Sequence, residues 1–153
     1  MGKGFALAAL LFVLAGAGAA SGSRAALTPA QYKAKLASIG KESDKTQSLI
    51  STGLSAKDVS KLVAALGQFA KAEDHVADEV AALKPPAKAV AANAQLAKGL
   101  HDIADAVRGV AAKVKGVKTM TEAKAILNKD GSGAKAGAEV DGALTKLSGL
   151  GLA

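Results

Sequence analysis

The sequence predicts an all-α protein, an antiparallel three-to-four-helix bundle behind an N-terminal signal peptide, and three observations carry that prediction. Hydrophobic residues fill 50% of the 153 positions but aromatics only 3%, and nearly half of the apolar total is alanine. Alanine is the best helix former and buries little, so a core of Leu, Val and Ile over closely approaching Ala faces favours several long helices over a sheet. Apolar residues recur at spacings of three and four through the chain, the period of one helical face. Finally, Pro85 and Pro86 stand between two long Ala-rich amphipathic segments, where one helix must stop and the next can begin.

The first 20 residues read as a signal peptide: Lys3, an apolar run from Phe5 to Leu14, then small residues in overlapping A-x-A patterns. Cleavage is expected after Ala17, Ala19 or Ala20, with membrane attachment only through an uncleaved N-terminus. Residues 21–27 follow as a flexible linker and residues 28–150 as the bundle. Myristoylation is excluded because Ala6 stands where Ser or Thr is required.

Thr28, Pro29 and Gln31 form a capping-box start for a helix over 29–52. Its stripe is Tyr32, Leu36, Ile39, Ser43, Thr46 and Ile50, polar in the middle, and Gly53 is expected to end it. Ser55 is the expected N-cap of a second helix over 56–84, with Asp58 in the first turn. Val59, Leu62, Leu66, Phe69, Val76, Val80 and Leu83 make its face.

The two prolines then form a tight corner into a third helix over 86–115, antiparallel to the second. Its stripe is Val90, Leu96, Leu100, Ile103, Val107, Val110 and Val114, closed by Gly116. Thr119 and Glu122 stand in capping-box relation before a short helix over 120–129. "NKDGSG" at 128–133 is turn chemistry, so a last helix is placed at 134–148 on Val140, Leu144 and Leu147.

Few residues suggest chemistry. His75 with Asp78 and Glu79, and His101 with Asp105, raise a metal or haem reading of the kind built into some helical bundles. At 100° per residue, however, the two rings lie roughly 140° and 130° from the middle of their apolar faces, so both are expected in solvent. Glu73 projects within the apolar face of the second helix, where an unpaired carboxylate is costly. It is expected to snorkel at the bundle edge, with a lysine or the hydroxyls of Ser43 and Thr46 as partners if it turns inward. Asn93 is expected to hydrogen-bond across the corner. No catalytic, cofactor-binding or metal-ligating residue is assigned, and no cofactor.

The chain has no cysteine, which removes disulfides, thiolate metal sites and thiol catalysis. Its net charge is +7, and its pI is near 9.7. That charge permits attraction to anionic surfaces or nucleic acid. Lysines are interleaved with acids and aromatics to stack on bases are nearly missing, which points away from nucleic acid.

The run "LVAALGQFAKAEDHVADEVAALKPPAKAVAANAQLAKGLHDIADAV" resembles a group of uncharacterised exported Ala-rich helical-bundle proteins of high-GC bacteria, chiefly actinobacteria. Val80, Leu83, Pro85, Pro86, Asn93, Leu96 and Leu100 carry the likeness. The resemblance implies an exported helical bundle and no particular activity. Many of that group look like lipoproteins, whereas this chain has no lipobox cysteine.

The expected function is a secreted or periplasmic, envelope-associated binding or structural module rather than an enzyme, with an anionic envelope surface or another protein as partner. The alternatives are a basic nucleic-acid-binding protein and, third, an enzyme or metal- or haem-binding bundle.

Overall fold

Thr28 opens the first helix as its sequence predicts: its hydroxyl accepts from the Gln31 backbone N–H while the Gln31 side chain accepts from the Thr28 N–H. The computed structural model describes residues 26–153. The signal peptide expected over 1–20, and the linker up to residue 25, lie outside the described residues. All five helices expected from the pattern are present.

Helix α1 (Pro29–Ser55) runs through Gly53 instead of stopping at 52. A Cβ on Gly53 would meet the Ala65 Cβ at 2.6 Å, so this glycine lets α1 approach α2 closely and does not terminate it. Ser55 is correspondingly not a cap. It is the last residue of α1 and donates its hydroxyl to the Ser51 carbonyl at 2.9 Å. The chain turns at Lys57, which holds the left-handed φ of 48°.

Asp58 caps α2 (Val59–Ala82) in place of Ser55 by accepting from Ser60 N at 2.7 Å and Lys61 N at 3.3 Å. The helix stops two residues short of 84 because Leu83 is already extended (φ −62°, ψ 145°) on the way into the prolines. A single 3-10 turn at Ala87–Ala89 leads into α3 (Val90–Lys115), where an α-helix was expected from 86. That turn sets the phase so that Ala89, Ala92 and Leu96 point inward, while Val90, expected in the apolar stripe, is 53% exposed.

Helix α4 (Met120–Lys129) has the expected bounds and the expected Thr119–Glu122 capping box. Helix α5 (Ser132–Gly149) starts before residue 134 because the Asp130 carboxylate accepts from Ser132 N at 2.9 Å, leaving only a brief turn. At its other end Gly151 adopts φ 71°. The Leu152 N–H donates to the Leu147 carbonyl at 2.9 Å, a glycine-terminated helix end that turns Leu152 back into the core.

The α2–α3 pair is the spine, with α1 packed along α2 and α5 along α3. Tyr32, Leu36, Val76, Val80, Leu96, Leu147 and Leu152 form one buried cluster toward the proline corner. Leu62, Leu66, Val110, Val114 and Ala123 form a second toward the opposite end, with Ile50 and Leu54 packed against it. Ser43 and Thr46 on α1 and Glu73 on α2 fall between the two clusters along their helices. Among the described residues no helix is long and apolar enough to cross a membrane.

Candidate ligand groove

Because α1 rides on α2 and α5 on α3, those two outer helices become the walls of a groove whose floor is the spine. The C-terminal tail brings them together at the corner end, where Lys33 Nζ donates to the Ala153 carbonyl at 3.3 Å. Beyond it the groove encloses about 630 Å³, within the range of small-molecule sites. Its floor carries Phe69, Val76, Leu100, Ile103 and Val107, and Gly40 on α1 and Gly137 on α5 leave room in its walls.

One carboxyl group stands in this floor. Glu73 is only 3% exposed; its Oε1 accepts from the Thr46 hydroxyl at 2.8 Å and, at 3.4 Å, from the Ser43 hydroxyl. The two hydroxyls foreseen as partners are therefore the ones that meet it, but Glu73 does not snorkel: α1 covers it. Burial in apolar surroundings raises its pKa, and the hydrogen bonds from Thr46 and Ser43 only partly oppose that. Its other oxygen, Oε2, has no partner among the described residues, where no sealed side-chain polar atom goes unpartnered; Oε2 therefore opens to the groove.

Thr46 Oγ1 also lies 2.7 Å from the Ser43 carbonyl. A hydroxyl has one hydrogen and a carbonyl can only accept. With Glu73 neutral, its O–H donates to Thr46 and Thr46 donates to the Ser43 carbonyl. With Glu73 ionised, Thr46 turns its hydrogen to the carboxylate. The trio thus accommodates both protonation states with the heavy atoms fixed, and Oε2 is an acceptor in each.

Asn93 bridges the corner as expected. It accepts from the Tyr32 hydroxyl at 2.9 Å and donates from Nδ2 to the Val80 carbonyl at 2.9 Å, locking the corner end of α1 to the spine. Burial pushes the Tyr32 hydroxyl up to about 12.

The histidines are separate from the groove. His75 is exposed, 3.7 Å from Glu79, and with Glu42 of α1 the two could hold a metal ion, their ligand atoms all lying within 4.8 Å of one another. Asp78, expected beside His75, instead faces His101. His101 departs from its expected place in solvent: it sits half-buried between α2 and α3, Nδ1 3.1 Å from Asp74 and Nε2 3.4 Å from Asp78. Asp74 also pairs with Arg108, whose other nitrogen reaches Asp105 at 2.6 Å. This is a cross-helix surface network, and Asp105, expected with His101, belongs to Arg108.

The groove itself was missing from the sequence reading, although the polar break in the α1 stripe opposite Glu73 marked its position. Comparison of the chain with family models, curated proteins and solved structures found no match.

Proposed function

We propose that this chain is an exported, non-catalytic binding module whose groove between α1 and α5 takes up a single elongated apolar ligand. The observation that carries this reading is the apolar floor of a roughly 630 Å³ groove lying beside the buried cluster of the helical core. The signal-like first 20 residues and the resemblance to exported helical proteins support an extracytoplasmic setting. The abundant surface lysines suit attachment to an anionic envelope surface. Both histidines lie away from the groove, which leaves Glu73 without a general-base partner there and favours binding over catalysis.

Binding of an uncharged rod-like fluorophore, diphenylhexatriene, to the full-length chain tests this reading. Saturable binding of about one dye per chain is expected. It should weaken at least tenfold when Gly40→Leu and Gly137→Leu together fill the walls, since neither position has a neighbouring atom within 4 Å of an added Cβ. Equal binding by both proteins, or a stable dimer that excludes the dye, would overturn the proposal.

A further inference from the structure

Resting on that reading of the groove, we infer that its ligand is an amphiphile with a protonated amine at its head, held by the free oxygen of Glu73. Three observations converge on this chemistry.

The first is the orientation of Glu73. A carboxyl group 3% exposed has one oxygen engaged by two hydroxyls and the other turned into an apolar groove. No protein donor reaches that oxygen among the described residues, and a ligand that brings a donor to it adds a hydrogen bond in low-dielectric surroundings.

The second is charge. The protein carries 20 basic and 13 acidic residues, yet among the described residues the groove inverts that balance: its lining includes Asp44, Glu73, Asp130 and Asp141 against the single lysine Lys129. Asp130 is already engaged by Lys113 at 2.6 Å and by Ser132, and the Lys113 hydrogen bond foremost holds it down to about 2. Asp44 on α1 and Asp141 on α5 have no ion pair among the described residues, so each wall presents an acid. The spine supplies only apolar side chains around Glu73. A fatty acid or other anionic head would meet like charge here; an ammonium would meet opposite charge.

The third is the Thr46 hydrogen. Since Thr46 can turn between the Ser43 carbonyl and Glu73, the carboxyl group can be neutral in the empty groove and ionised when a cation arrives. From the neutral form, Glu73 releases one proton to bulk solvent; from the ionised form it releases none; in either case the ammonium keeps its three protons and a carboxylate–ammonium pair forms at Oε2. From the neutral form the buried charge is created only in the presence of its partner, which avoids the cost of an isolated carboxylate in the core.

The experiment compares dodecylamine, dodecanol and dodecanoate, each below its micelle concentration, by calorimetric titration of the full-length chain at pH 6. Dodecylamine is expected to bind at least tenfold more tightly than dodecanol, with dodecanoate weakest. In Glu73→Gln the preference for the amine over the alcohol should be lost. Equal affinity for amine and alcohol, or a preference for dodecanoate, would overturn the amine assignment and leave the groove reading standing. Failure of all three to bind would overturn both. Retention of the amine preference in Glu73→Gln would move the head away from Glu73 and refute the inference.

Discussion

The Tyr32 hydroxyl donates to Asn93 Oδ1 at 2.9 Å across 61 positions of chain, and Asn93 in turn donates to the Val80 carbonyl. Tyr32 is fully buried and Asn93 is 4% exposed, so each bond is made where water cannot replace it. Tyr32→Phe leaves one amide oxygen without its donor and should cost about 1–2 kcal/mol. Asn93→Ala strands both the hydroxyl and the carbonyl and should cost more, about 2–4 kcal/mol. Urea unfolding of the two variants checks the order; equal costs would mean that the Val80 bond contributes nothing.

The same hydroxyl makes a prediction at alkaline pH. Burial favours the neutral phenol, so its pKa rises from 10.0 to about 12 in the fold. The unfolded chain ionises first, and stability present below pH 10 should therefore be lost as pH rises toward 12. Absorbance at 295 nm follows the only tyrosine in the chain. It should titrate well above pH 10 while the protein is folded, and near 10 in urea.

Glu73 gives the complementary window. Its carboxyl is raised above the ordinary 4.5 by burial, so the neutral form is the one that folding favours. The associated stability is complete below pH 4.5 and is lost as pH climbs through the folded-state pKa. Glu73→Gln keeps the shape and the neutral state at every pH. Its melting temperature should match wild type at pH 4 and exceed it at pH 7. A groove residue whose replacement stabilises the protein while removing amine recognition is held there by function rather than by folding.

How much of this was legible in the sequence differs residue by residue. The two capping boxes at Thr28–Gln31 and Thr119–Glu122 are local, involving positions three apart, and both formed as read. The pairing of Ser43 and Thr46 with Glu73 was also visible, because all three fall on facing stripes. The depth of Glu73 was not, since it depends on how closely α1 lies on α2, and that is set by Gly53 against Ala65. A glycine that ends a helix and one that lets two helices touch look alike in one dimension. His101 fails for a related reason: its angle on its own helix points it outward, but Asp74 and Asp78 of the neighbouring helix come to meet it. The groove needed the relation of α1 to α5, elements with no adjacent sequence to connect them.

The α1–α2 corner offers a paired test of that distinction between glycines. Lys57 holds φ 48°, a conformation that costs an ordinary side chain roughly 1 kcal/mol. Lys57→Gly should therefore stabilise the protein by up to that amount. Gly53→Ala, four residues earlier, should instead cost about 1–3 kcal/mol, because the added methyl collides with Ala65 and Leu62. Were Gly53 a helix terminator, alanine there would be nearly neutral; thermal unfolding of the two variants decides.

The last turn of α5 makes the final prediction. Leu152 is 4% exposed and packs in the same cluster as Tyr32 and Leu147, placed there by the bond from its N–H to the Leu147 carbonyl. The bend that allows this rests on Gly151 at φ 71°, where a side chain is strained. Gly151→Ala should cost about 1 kcal/mol, and Leu152→Ala about 2–4 kcal/mol through lost burial and the cavity left behind. Since the tail also joins the two groove walls through Lys33 and Ala153, Leu152→Ala should speed backbone amide exchange near Tyr32 as well as along α5. Exchange confined to α5 would show that the tail seals only its own helix, and that the closed end of the groove is held by Tyr32 and Asn93 alone.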